Sequence, residues 1–563
     1  LVLFFKKELL PSSLFSAKHP YWFRFQRSGV MRFPACLIAA AFLLHLTDPA
    51  AAQVSVLTHH YDNLRTGWNA QESALNPQTV SGGGFGLLHT VAVDEQLSAQ
   101  PLIVPGVNVQ GQGVHDVAYL ATENNTIYAV DAESGTVLLS RNLGSPVPTS
   151  KLADPTCDKT SGVVGIDSTP VIDAQSGLLY VITYTEENNA PVYRLHALNT
   201  TTLADSVASA IVSASGTLVN NKYYQFDAAV SRQRPALLLA NNTVYAAFGS
   251  FCDHDQSTTR GWILGWQSVT LAPLASPMLE NKLVRVPQRR YLTSIWMSGN
   301  GPAADPQGNI YVVTGNSDRS GTTYDPANNP AESVLRLSAD LSTIEDYFTP
   351  GGRWGEPILD MHDRDFGAGG VLLLPPQSGD IPYLAVALGK VGIMYLLNQQ
   401  QLGGYVPNGP NNDVASVKAG GCWCGESYFT GTDGAGRIVT SGSANEIIWR
   451  VRTSPSTALV KESEAAAVPT GSGEGFFTSV SSNGTQAGSA IVWAVARPNR
   501  TGALTLTLLA YNAADSTTVF SGAAGVWSSN AANANVVPVV ANGHVYVGSY
   551  KALEIFGAAQ KRK

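Results

Sequence analysis

The sequence predicts an all-β chain folded as an eight-bladed β-propeller, its last blade closed by a strand from near the N-terminus. Three observations carry that expectation. A β-branched run with a tyrosine, a polar turn and a second apolar run recur along the 563 residues. Most copies follow a proline-led apolar strand, and proline, which cannot donate to a ladder, belongs at a strand start or edge. Finally, 53 glycines and 31 prolines beside 44% hydrophobic residues suit a turn-rich β protein with enough apolar side chains for a core.

The units follow in chain order. "QPLIV" at Gln100 leads into "VAYLATENNTIYAVDAESG" at Val117, and "TPVID" at Thr169 into "LLYVITYTEENNAPVYRLHALNTTT" at Leu178. "RPALLL" at Arg234 precedes "TVYAAFGSFCDHDQSTTRGWILGW" at Thr243, and "GPAAD" at Gly301 precedes "NIYVVTGNS…ESVLRLS" at Asn309. Then come "PYLAVALGKVGIMYLLN" at Pro382, a weaker copy "GRIVTSGSANEIIWRVR" at Gly436, and "AIVWAVARPNRTGALTLTLLAYNA" at Ala490. "VPVV" at Val537 and "HVYVGSYKALEIFG" at His544 complete the set. Each unit reads as three or four antiparallel strands. Ile127, Ala129 and Asp131 alternate with Tyr128 and Val130 at the period of a strand, not a helix. Such units cannot bury both faces alone, and packing around an axis solves that. "FGLLHTVAV" (85–93) is a spare strand placed to complete the last blade, which ends near Phe556. A division into two separate β domains would need a linker, and none interrupts the repeats. The propeller is therefore expected over 85–558, after an N-terminal segment 53–84 and before a basic tail 559–563.

The first 52 residues read as a leader. Met31 and Arg32 precede the apolar run "FPACLIAAAFLLHL", and Ala50-Ala51-Ala52 offer a small-residue cleavage site before Gln53. The run is too short for a membrane span. The expectation is translation from Met31 and a periplasmic or secreted product beginning at Gln53. Residues 1–52 hold six basic and two acidic residues, so their removal moves the formal charge from −7 to −11. That sign offers no field for nucleic acid or anionic lipid. Cys36 falls in the leader, which leaves Cys157, Cys252, Cys422 and Cys424 and three possible pairings in an oxidising compartment. Two structural disulfides, or one plus free thiols, both remain open. "CWC" lacks the spacing of haem attachment.

Charged residues make up only 14% of the chain, so "ILDMHDRDFGAGGVLLLP" (358–375) stands out. It sets Asp360, His362, Asp363 and Asp365 ahead of a glycine-rich entry into a strand. The stretch is either a solvated turn or a base with its surroundings, and Asp365 is the residue expected to act if chemistry occurs, with the other three as solvated neighbours. No G-x-S-x-G elbow, P-loop or H-E-x-x-H promotes a hydrolase or nucleotide-binding reading.

Several stretches resemble the quinoprotein alcohol dehydrogenases, and more generally the pyrroloquinoline quinone (PQQ)-like repeat proteins. They are "DNLRTGWNAQESALNPQTV…FGLLHTVAV…AQPLIV", "IWMSGNGPAADPQGNIYVVTGNS", "HDRDFGAGGVLLL" and "GKVGIMYLLNQQQLGG". The resemblance implies PQQ and calcium at the axial funnel. It implies Trp296 as the flat floor under the quinone, Asn316 as a calcium ligand, and Lys390 as a donor to the quinone oxygens. Asp365 would be the base that takes the hydroxyl proton of an alcohol. Asp253 or Asp255 stands nearest to the missing calcium carboxylate, with altered spacing. The same residues also have plain structural readings: a blade-packing tryptophan, a turn asparagine, a turn aspartate and a lysine at a strand end. The chain departs from the family in lacking its vicinal cysteine pair and in carrying Gly367 where lanthanide-using relatives have an aspartate. Two functions follow. One is a PQQ- and calcium-dependent dehydrogenase of a small alcohol, polyol or sugar-like hydroxyl, passing electrons to a periplasmic acceptor. The other is a binding propeller with an eroded cofactor site and a protein or glycan ligand on one face.

Overall fold

Turn chemistry cuts the apolar runs into hairpins. Asn188-Asn189, Asn241-Asn242 and Asn542-Gly543 all have φ between +51° and +79°. Two consecutive left-handed residues make the tight turn whose twist matches paired strands, and asparagine and glycine tolerate it best. The structure is a computed structural model and describes residues 53–152, 161–253, 256–468, 475–497, 504–529 and 535–559. The leader, Asp255, Cys157 and the tail beyond 559 lie outside the described residues.

Eight blade sheets follow one another along the chain, and each of the first seven contains four antiparallel strands in sequence order, with a fifth strand added to the third, fourth and seventh. Their first strands are Leu102–Val109, Val171–Asp173, Leu238–Ala240, Ala303–Ala304, Val371–Leu373, Ser427–Thr430 and Thr478–Ser481. The eighth sheet consists of Val539–Ala541, His544–Ala558 and, as expected, the N-terminal strand Phe85–Gln96. Phe85 pairs with Ala558 and Ala92 with Ala552, so the two ends of the chain are joined in one ladder. The weaker sixth copy is a full blade, because Ser427–Thr430 and Ala458–Glu464 flank the two strands legible in the sequence.

Seven apolar clusters link neighbouring blades around a complete circuit. Leu179 of the second blade packs with Val117 of the first, Tyr546 of the eighth with Ala118 of the first, and Trp493 of the seventh with Phe556 of the eighth. This radial packing buries both faces of a strand. Ile127, Ala129 and Val130 are all inaccessible to solvent, so the alternation read from the sequence does not separate a wet face from a dry one.

The N-terminal segment does more than precede the ring. Val56 exchanges hydrogen bonds with Ile103 of the first blade, and the Leu57 carbonyl accepts from Ile172 of the second. The Asn63 side chain donates to Leu239 of the third, and its carbonyl accepts from Ala304 of the fourth. Leu64, Thr66 and Gly67 accept from Leu373, Tyr428 and Val480 of the next three blades. Tyr61 bonds Val540 of the eighth. One short stretch thus touches the first strand of every blade, which makes those strands the innermost. Arg65, fully buried, holds the stretch together by donating to Pro302 O (2.9 Å), Thr58 Oγ1 (2.8 Å) and His59 O (2.9 Å).

Candidate active site on blades three to five

Two glycines let the loops of adjacent blades close on one another. A Cβ on Gly367 would lie 2.6 Å from Gly315 N, and one on Gly389 would lie 2.7 Å from Asp365 O. Without those side chains, the turn after helix Glu356–His362 sits directly against the ends of two strands, Ile310–Val313 and Leu384–Leu388. That contact brings Asp365 to Asn316 and Lys390.

Asp365 is 2% exposed. Its Oδ1 accepts the Asn316 N–H at 3.1 Å, and its Oδ2 lies 2.6 Å from Lys390 Nζ. Lys390 also reaches Asp363 Oδ1 at 2.9 Å, and Arg319 meets the other oxygen of Asp363 at 3.2 Å. The Asn316 carboxamide donates to Asp253 Oδ2 and Asp363 Oδ1, each at 3.2 Å. Trp296 completes the group: a Cβ on Gly315 would lie 3.3 Å from its Nε1 and 3.6 Å from Asp365 Oδ1. Of the residues singled out in the sequence, Asp365, Trp296, Asn316, Lys390 and Asp253 therefore converge, and Asp255 lies outside the described residues.

The electrostatics follow from burial. It pushes the Asp365 carboxyl up to about 6, with Lys390 pulling the other way. Burial also pushes Asp363 up, but Lys390, Arg319 and Arg290 hold it below its ordinary value. Lys390 is itself raised: burial opposes its charge and the two aspartates outweigh burial. Beneath Asp365 lies a belt of acids. Glu332 Oε2 accepts the Phe366 N–H at 2.6 Å, and Asp360 Oδ1 accepts the Ser317 N–H at 2.8 Å. Burial raises both well above the ordinary range and brings Glu356 to about 7. The expectation of solvated neighbours is thus corrected for Asp360, which is fully buried, whereas Asp363 is ion-paired but part-exposed and His362 is exposed.

Trp423 is the site residue that sequence reasoning missed. Its ring stands edge-to-face with Trp296, centroids 6.0 Å apart at 86°, and Lys390 Nζ lies 4.9 Å from its centroid. A disulfide between Cys422 and Cys424 brackets it, and the Cys422 N–H bonds the carbonyl of Gly389. The open question of pairing is settled for these two. Cys252 is also disulfide-bonded. The "CWC" spacing was the available signal, but nothing local says that it faces a lysine one strand away.

The residues meet the two implied groups unequally. A flat anionic quinone suits them: an indole lies beside a lysine, and buried Arg290 Nε and Nη2 and Arg319 Nε have no hydrogen-bond partner among the described residues. Calcium does not suit them in the same way. Among the described residues no three His, Cys, Asp or Glu are arranged to hold a metal ion. The cation lying between Asp363 and Asp365 is the Lys390 ammonium.

No protein-family model and no curated protein matches the chain. Among solved structures it is similar to the quinohemoprotein alcohol dehydrogenase of Comamonas testosteroni, with a TM-score of 0.57 and 13% identity, over 91% of this chain and 82% of that one. It is also similar to a quinohemoprotein alcohol dehydrogenase of Pseudomonas putida HK5, with a TM-score of 0.57 and 15% identity, over 90% and 81%. These likenesses show the fold, an eight-bladed propeller of the quinoprotein dehydrogenase type.

Proposed function

We propose that the protein oxidises a hydroxyl group at Asp365, as a quinoprotein-type alcohol dehydrogenase exported from the cytoplasm. The observation that carries this reading is the meeting of Asp365, Asn316, Lys390 and Trp296 from two neighbouring blades. PQQ, when bound, would supply the two-electron acceptor for the substrate's hydride. The chain's own residues do the rest. The Asn316 N–H fixes Asp365 Oδ1, the Lys390 ammonium favours the ionised carboxylate, and Asp365 takes the hydroxyl proton. A carboxyl at about 6 is ionised at neutral pH yet basic enough to hold that proton. Trp296 and Trp423 offer apolar walls to a planar group. The leader-like segment 31–52 supports export, and among the described residues no helix is long and apolar enough to cross a membrane.

A binding propeller is the second reading, favoured by one observation: the acids already close on Lys390 and Arg319, leaving little charge for a metal. Reconstitution with PQQ, with and without calcium, separates the two. The first reading expects spectral uptake of the quinone and dye-linked oxidation over a panel of alcohols, with Asp365→Asn keeping uptake and losing turnover. Absence of quinone uptake under both conditions ends the dehydrogenase reading.

A further inference from the structure

A second cavity lies on the propeller axis. It is lined by His59 of the N-terminal segment, Ser98, Gln100, Asp167, Thr169, Arg234, and Ser298 and Gly299 of the turn that follows Trp296. Trp527, Asn535 and Val537 close the circle. The lining therefore comes from the segments that lead into blades one to four and from those between blades seven and eight, and the site residues around Asp365 are not among it.

What distinguishes this cavity is an excess of donors. Arg234 is only 8% exposed, and among the described residues its guanidinium has no hydrogen-bond or ion-pair partner. Gly299 (φ +90°) packs beside it, with the position of a Cβ there 4.0 Å from Arg234 Nε. The one carboxylate in the lining, Asp167, is already neutralised by Arg232, whose Nε and Nη2 both lie 2.7 Å from Oδ2. Glu123, behind it, is pushed up by burial and by Asp167 to about 8. Trp527 is 2% exposed, and its indole N–H has no partner among the described residues. His59 is buried and neutral, with burial holding its pKa well down. The Thr169 hydroxyl oxygen accepts the Gln100 N–H at 2.9 Å, so its hydrogen is free for His59 Nδ1 at 3.4 Å. That assignment puts the ring proton on Nε2, which is also unpartnered. The Asn535 carboxamide spends its oxygen on Arg497 Nη2 at 2.7 Å and keeps its NH₂.

A buried cation without a counter-ion, among neutral N–H groups without acceptors, carries a desolvation cost that an anionic oxygen ligand removes. We propose that this axial cavity binds a small oxoanion, a carboxylate or an inorganic phosphate, with Arg234 as its counter-ion and the Trp527, His59 and Asn535 N–H groups as neutral donors. The proposal stands on the cavity's own geometry and is independent of the dehydrogenase reading.

The test is calorimetric titration of the mature protein with acetate and, separately, inorganic phosphate at constant ionic strength. One saturable site per chain is expected for at least one of the two, and the tighter-binding probe identifies the source. Arg234→Gln should weaken binding at least tenfold. Trp527→Phe, which keeps the ring and removes only the N–H, should weaken it several-fold and serves as the arbiter if Arg234→Gln does not fold. Absence of saturable binding by both probes overturns the proposal, as does binding that both folded variants leave unchanged.

Discussion

Replacing Lys390 by methionine keeps most of the side-chain volume and removes the one ammonium shared by Asp363 and Asp365. The protein contains its own reference for what Asp365 then becomes. Glu426 is equally buried, has no cation beside it, and is pushed by burial from 4.5 to about 8. The same burial acting on an aspartate, ordinarily 3.8, brings it to about 7, against about 6 in the native site. The nearby charges of Asp363 and Asp253 push further in the same direction. A midpoint between roughly 7 and 8 is expected, a change worth about 1.4–2.7 kcal/mol. The sign for stability follows. A carboxyl raised in the folded state contributes stability below its unfolded value of about 3.8, and that contribution is lost as pH rises through the folded value. In the native chain the loss is complete just above 6. In Lys390→Met it continues to 7–8, so the variant's deficit grows between pH 5 and pH 8. Infrared titration of protein carrying isotope-labelled aspartate, with Asp365→Asn to identify the band, reads the midpoint directly. A midpoint at or below 6 in the variant refutes the electrostatic account of the site.

Two further outcomes test the scaffold. Gly367→Ala places a Cβ 2.6 Å from the backbone of Gly315 and of Thr314. It should cost about 1–3 kcal/mol in urea unfolding, and Asp365→Asn, which leaves that contact intact, should not show the same loss. Ile555→Ala empties a fully buried position in the closing blade. It should cost about 2–5 kcal/mol and lower the thermal midpoint; a neutral result would mean that the closing ladder is not needed to hold the ring.

Much of the fold was legible because it is local and repeated. Asn241-Asn242 and Asn542-Gly543 announce their turns, and each proline-led run announces the first strand of a blade. The sixth blade was faint, since neither "SYFT" nor "ALVKESE" is led by a proline and "GRIVTSG" lacks the tyrosine of the repeat. The site was legible only as far as a family pattern reached: Asp365, Asn316, Lys390 and Trp296 could be named, whereas Trp423 and the acid belt could not. Glu332 carries no signal in one dimension, and Asp360, though part of the noted stretch, reads there as a solvated neighbour. They become buried because the Gly315 and Gly367 backbones meet and shut water out above them.

The sequence by itself determined the central strands of the blades, many of their turns and the number of blades, because those depend on residues a few positions apart. It also determined that the strand at 85–93 would find the far end of the chain, since an unpaired apolar strand and an incomplete blade each leave backbone groups without partners. Only the tertiary structure decided which ionisable groups are dry, which carboxylate holds which cation, and that Arg234 pairs with none among the described residues. Burial and pairing energies depend on the distance between atoms in space, and closing a ring sets those distances between residues hundreds of positions apart.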